Sequence, residues 1–186
     1  MVMHGIGGAL TESTLPQSLT TLGYYAFVET NIRTVTFPGG LTNFRVEWNY
    51  GYAYNGAFNG CKNLTTVTVA EGITTIPGAM FYGCTALTTV TLPASITNIG
   101  QGAFGGCTAL ATIALPASIT KIEGEAFYGC SALTTVTIPA SVEKIEFGGS
   151  VYGGFAWTAF RDCSRLNLAS QAALRRVGYT EEVPLK

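Results

Sequence analysis

The stretch "LTTVTLPASITNIGQGAFGGC", Leu87 to Cys107, is followed almost at once by "LATIALPASITKIEGEAFYGC", Leu110 to Cys130. The two say nearly the same thing one after the other. The cysteines carry the period outward: Cys61, Cys84, Cys107, Cys130 and Cys163 are spaced by 23, 23, 23 and 33 residues, the last being one period plus ten. A fixed period of this size is the signature of a stacked repeat architecture.

Around each cysteine the same frame returns. It runs Ala103 and Phe104, Cys107, Leu110, Ile113, Leu115, Pro116, Ile119 and Ile122, and then Ala126 and Phe127 one period on. The frame also extends back: "LPQSLTTLGYYAF" (Leu15 to Phe27) overlays "LPASITNIGQGAF" (Leu92 to Phe104), and "ALTESTLP" matches "ALTTVTLP". The array is thus running by Leu10. Strands are expected at 10–15, 32–37, 64–69, 87–92, 110–115 and 133–138, each reading Leu-x-x-Val-x-Leu. Alternation with β-branched residues is strand chemistry, and a recurring proline, having no N–H for a ladder, marks where pairing stops. One unit of 23 residues cannot bury its own apolar face. Stacking neighbours at one strand spacing buries it and pairs each strand with the next, which makes a solenoid.

The frame L-x-x-V-x-L-P-x-S-[IV]-x-x-I-x-x-x-A-F-x-x-C resembles the BspA-type, or Treponema-type, class of leucine-rich repeats, over about Leu10 to Leu166. The resemblance implies a right-handed solenoid, mainly β, with a parallel sheet on the concave face and short turns or 3-10 segments opposite. It implies adhesion and protein recognition, often on bacterial or protist surfaces, without catalysis. It also suggests a cell-surface or secreted setting. No secretion signal is visible at the N-terminus, so the chain is either made without one or is an excised domain.

Composition limits the partner. The 186 residues carry a net charge of −1, with 11% charged and 47% hydrophobic residues, too balanced for a general nucleic-acid or acidic-membrane binder. No run approaches the roughly 18 apolar residues of a membrane helix. A catalytic relay has little material, since the chain holds one histidine, His4, and one aspartate, Asp162. No two cysteines lie close enough for zinc spacing, so neither metal nor cofactor is expected. An odd number of equivalent thiols suits free, buried, stacked cysteine better than disulfides, which leans toward a reducing, intracellular compartment. Lys121 and Lys144 share a repeat position, as do Glu123 and Glu146, and are read as a solvated edge.

Two sets of residues are candidates for binding. The outward strand positions hold Thr34 and Thr36, Thr66 and Thr68, Thr89 and Thr91, Thr112, and Thr135 and Thr137, two files of hydroxyls broken at Ala114. The other set lies in two insertions at the same point of the repeat, which lengthen it by nine and ten residues. The first (45–56) holds Trp48, Tyr50, Tyr52 and Tyr54; the second (146–158) holds Phe147, Tyr152, Phe155 and Trp157, and no other tryptophan exists in the chain. Four periods would set them about 19 Å apart on one flank. They are read either as interface anchors on a rigid scaffold or as covers over apolar edges.

"LNLASQAALRRVGY" (Leu166 to Tyr179) drops the frame, and Ser170 followed by Gln171, Ala172 and Ala173 reads as a short capped helix closing the array. At the other end the repeat is entered midway, so a stacking partner, a second copy or upstream sequence is expected to cover the first coil. The expected organisation is one domain over 1–186, with repeats over about 10–165 and a cap over 166–186. The expected function is a non-enzymatic protein-recognition or adhesion module. The alternatives are a scaffold or spacer subunit of a larger assembly, and glycan or ice binding through the aromatic loops or the threonine ladder.

Overall fold

The computed structural model describes residues 2–3, 12–28, 30–45, 56–143, 145 and 159–179. The strands, in chain order, are β1 (Val2–Met3), β2 (Glu12–Thr14), β3 (Thr21–Leu22), β4 (Thr34–Phe37), β5 (Asn43–Phe44), β6 (Thr66–Val69), β7 (Thr75–Ile76), β8 (Thr89–Thr91), β9 (Asn98–Ile99), β10 (Thr112–Ala114), β11 (Lys121–Ile122) and β12 (Thr135–Thr137). One helix, α1 (Leu168–Arg176), follows. All pairings are parallel and join each coil to its neighbour. The chain is a parallel-strand solenoid of the leucine-rich-repeat kind, with turns where the sequence allowed short 3-10 segments.

The even-numbered strands form the front face, in the order β2-β4-β6-β8 and then β10-β12. They fall inside the expected segments and stop at or before the recurring proline. Coils are numbered here by these strands, so that β4 lies in coil 2 and β12 in coil 6. The odd-numbered strands form a second face that the sequence reading left as turns: β1-β3-β5, then β7-β9-β11, with Ile145 bridging to Ile122. β1 pairs with β3 through Val2 and Met3, so on this face the pairing reaches back beyond Leu10, where the array was expected to start.

Between the two faces lies a core with one member per coil in each column. Phe27, Phe58, Phe81, Phe104, Phe127 and Phe160 stack with ring centroids 4.7, 5.7, 5.4, 5.4 and 4.9 Å apart, planes within 27°. Beside them runs the cysteine column. Each thiol donates to the phenylalanine carbonyl of the preceding coil: Cys61 to Phe27, Cys84 to Phe58, Cys107 to Phe81, Cys130 to Phe104 and Cys163 to Phe127, at 2.8, 3.1, 3.3, 3.2 and 3.1 Å. All five are buried and none is in a disulfide, as the odd count implied.

The turns carrying these columns use left-handed backbone at two repeat positions. Gly60, Gly83, Gly106 and Gly129 precede their cysteines at φ near +70°, where a Cβ is costly. Asp162 holds the same position in coil 6 at φ 63°.

At the C-terminal end α1 closes the front sheet. The helix begins two residues earlier than Ser170, with Asn167 as N-cap accepting from the Ser170 amide at 2.9 Å. The Ser170 side chain serves the sheet instead. Its hydroxyl accepts the Val136 N–H at 3.0 Å, a ladder donor that a further coil would otherwise take. The Asn167 amide donates to the Thr134 carbonyl at 2.8 Å, and Arg176 Nη2 donates to the Ile138 and Pro139 carbonyls at 3.2 and 3.1 Å. Tyr179 meets the last ring, Phe160, edge-on at 6.1 Å.

Candidate recognition face

The threonines of the front face stand in register. Thr34 pairs with Thr66 and Thr66 with Thr89; Thr36 pairs with Thr68 and Thr68 with Thr91; Thr112 pairs with Thr135 and Ala114 with Thr137. Their neighbours in each strand, Val35, Val67, Ile113 and Val136, are buried, and Val90 packs partly buried against the same core; this alternation turns every threonine outward. Thr66 and Thr68 are half-buried and the others exposed.

The threonines of this protein divide into two chemical classes. Thr65, Thr88 and Thr134, at the foot of the front strands, donate to the carbonyls of Arg33, Thr65 and Ala111 in the preceding coil at 3.0, 3.2 and 3.2 Å. Thr97, Thr108 and Thr120 do the same elsewhere in the coil. Those hydroxyls tie coils together. The hydroxyls of the outward threonines, Thr135 excepted, make no hydrogen bond within the described residues and face outward unspent. Coil 5 has Ala111 where coils 3, 4 and 6 have the tying threonine, and there, between β8 and β10, the front ladder is interrupted although the strands lie side by side.

One residue of this face escaped the sequence reading. Leu168 is 77% exposed. The Asn167 amide bonds to Thr134 as the Thr134 amide bonds to Ala111, so Leu168 continues the file of Thr112 and Thr135 by one rung. The signal was its spacing of 33 residues from Thr135, the same period plus ten that separates the last cysteines. Asn167 Nδ2 reinforces the rung by donating to Thr135 Oγ1 at 3.1 Å.

Trp48, Tyr50, Tyr52, Tyr54, Phe147, Tyr152, Phe155 and Trp157 lie outside the described residues, as do His4 and Lys144. The points from which the insertions depart are described: one follows β5 at Arg45, the other follows the Ile145 bridge, and both return at the alanine before a stacked phenylalanine. Asp162 is exposed, 4.0 Å from Arg161 Nε. Among the described residues no group of three or more His, Cys, Asp or Glu is placed to hold a metal, and no helix is long and apolar enough to cross a membrane.

The flank of coils 4 and 5 holds the remaining polar cluster. Glu123 accepts from the Gln101 amide at 3.0 Å and from Asn98 Nδ2 at 3.3 Å, and pairs with Lys121 at 3.1 Å, so the expected solvated edge is a bonded one. Glu125 beside it is buried, and burial pushes its carboxyl above the ordinary 4.5, partly offset by a hydrogen bond from Gln101. A raised folded value means that the native state holds the proton more tightly than the unfolded chain. Stability is therefore greatest below the ordinary value of 4.5 and falls as pH rises through the folded one. Glu125→Gln is expected to remove this slope and raise the melting temperature at pH 7 relative to wild type, measured by thermal unfolding from pH 4 to 8.

The family model described as BspA type leucine rich repeat region matches residues 7–54 and 40–150, in six copies. Among solved structures, a leucine-rich repeat protein from Bacteroides ovatus is 29% identical with a TM-score of 0.58, over 72% of this chain and 38% of that one. One from Eubacterium ventriosum is 26% identical with a TM-score of 0.66, over 84% and 37%. The T. pallidum leucine rich repeat protein, 20% identical, shares the fold over 100% of this chain and 91% of its own, with a TM-score of 0.71. The chain thus spans under two fifths of the Bacteroides and Eubacterium proteins. No curated protein matches it in sequence.

Proposed function

Because the chain belongs to the BspA-type leucine-rich-repeat family, in which surface and protein recognition is the general role, we propose that it is a non-enzymatic module that binds another protein. The observation that supports this reading is the division of the threonines: one set of hydroxyls is spent on coil-to-coil bonds, while the in-register outward set, Thr135 excepted, has no partner among the described residues. A regular, rigid array of unspent donors and acceptors, ending in the exposed Leu168, is suited to an external surface. Trp48 and Trp157, in the two aromatic insertions, supply the large side chains that anchor interfaces.

The test is affinity capture from the native source with wild type and a Trp48→Ala, Trp157→Ala double variant of equal thermal stability. A partner protein retained by wild type and lost by the variant is the expected result. Equal retention by both removes the insertions from the contact. The regular hydroxyl files also favour a second reading, a periodic ligand such as a glycan or ice. A thermal hysteresis assay and binding to neutral oligosaccharides separate it from protein recognition.

A further inference from the structure

Coil 3 lacks two bonds that join later coils: a serine tie that coil 2, with Gly40, lacks as well, and a backbone bond that both its neighbours make. At the bend after the front strand, Ser95 and Ser118 donate to the carbonyls of Ile73 and Ile96 at 2.7 and 2.6 Å, and Ser141 donates to Ile119. Coil 3 has Gly72 there, at φ +99°, and no hydroxyl reaches the Leu41 carbonyl. After the second-face strand, the amides of Arg45, Gly100 and Glu123 donate to Leu22, Ile76 and Ile99 at 2.9, 2.8 and 2.9 Å. Coil 3 has Pro77 at that position. Proline has no N–H, so the Phe44 carbonyl receives no such bond.

The consequence is a break in the second face between β5 and β7, which lie in separate sheets. The amides of Thr97 and Asn98 both reach the Thr74 carbonyl, at 2.8 and 3.3 Å, but their counterparts Thr74 and Thr75 make no bond to Thr42. In the gap lies a cleft of about 100 Å³, lined by Leu41, Thr42 and Phe44 of coil 2 and by the run 72–75 of coil 3. Buried Leu41 and Ile73 contribute its apolar lining, and no charged side chain lines it. One wall offers backbone carbonyls and the other backbone amides.

Thr42 and Thr74 are exposed and Phe44 and Thr75 half-buried, so water satisfies these backbone groups in the free protein and a ligand must reproduce its bonds. The occupant must donate to one wall, accept from the other, be neutral and be small. A carboxamide does all four, with two N–H donors and a carbonyl acceptor in one plane. We propose that this cleft is a subsite for a neutral carboxamide group, presented by an Asn or Gln side chain of the partner protein. The site itself stands on the geometry of coils 2 and 3, and its protein source rests on the function proposed above. The first aromatic insertion departs at Arg45, one residue beyond Phe44 of the cleft.

The probe is acetamide, titrated into the full chain and followed by amide NMR. The expected result is half-saturation in the millimolar range, with shifts confined to residues 41–44 and 72–77. In the free protein the Thr74 and Thr75 amides exchange faster than those of Thr97 and Lys121, and acetamide slows them. Pro77→Gly restores the donor that Gly100 supplies in coil 4 and weakens acetamide binding at least about tenfold. Absence of these shifts, equal binding by Pro77→Gly, or equal binding of acetate or methylguanidinium overturns the site. Acetamide binding combined with unchanged partner affinity in Pro77→Gly overturns its protein source, and neither outcome bears on the threonine face.

Discussion

Phe104→Ala lowers the free energy of unfolding by about 3–5 kcal/mol, read as a fall in the urea midpoint at an unchanged slope. The ring is fully buried and stacks on Phe81 and Phe127, each at 5.4 Å and within 16° of parallel. Its removal takes a contact from two neighbouring coils at once. In a solenoid, stability is carried by interfaces between nearest neighbours, so a void in a middle coil weakens two of them. The Phe104 carbonyl also accepts the Cys130 thiol at 3.2 Å, so a backbone shift into the void loosens the adjacent column. A loss below about 1 kcal/mol would mean that the phenylalanine column is not the core of the array.

The second large effect is chemical. The cysteines react with a disulfide reagent in urea at all five positions, and in native buffer at none of them on the same timescale. A thiol reacts as its thiolate. Burial pushes the Cys163 thiol from 9.0 up to about 12, which alone reduces its thiolate fraction about a thousandfold. Burial also raises Cys84, Cys107 and Cys130. Each sulfur is also at most 1% exposed and engaged with a carbonyl, so access adds to the protection. The same shifts set an alkaline limit. The folded thiols hold their protons more tightly than unfolded ones, so stability is intact below pH 9 and falls as pH rises through the folded values. Prompt labelling of any one thiol in native buffer would contradict the buried column.

The repeat made the front face legible before any coordinates, because position in a 23-residue frame fixes which side of a strand faces inward. Thr89 and Thr91 could be turned outward from their alternation with Val90 and Leu92. The second face was not legible in the same way. Pieces such as Asn98–Ile99 are two residues long and show no alternation, so their pairing appears only when the coils are stacked. The cap was half legible. The helix could be read from composition, but Asn167 sits where the repeat places Thr134, which hid its capping role, and nothing in "LASQ" says that Ser170 serves the sheet rather than the helix.

Among the candidate binding residues, the threonine files were visible but the division of labour among threonines was not. Thr88 and Thr89 are adjacent and identical, and only the carbonyl within reach of one distinguishes them. Gly72 and Pro77 were visible as departures from the frame. Their consequence depends on which atoms bond across coils, which a frame of residue types does not record.

The central claim is that the outward threonines form a recognition face for a protein. Its most direct test is the affinity of the captured partner for wild type and for a Thr66→Val, Thr68→Val, Thr89→Val, Thr91→Val variant. Valine keeps the shape and strand propensity and removes only the hydroxyls. The expected result is a dissociation constant raised at least about tenfold, equivalent to about 1.4 kcal/mol, at an unchanged melting temperature. An unchanged dissociation constant would contradict the claim and leave the face as an exposed sheet with no part in binding.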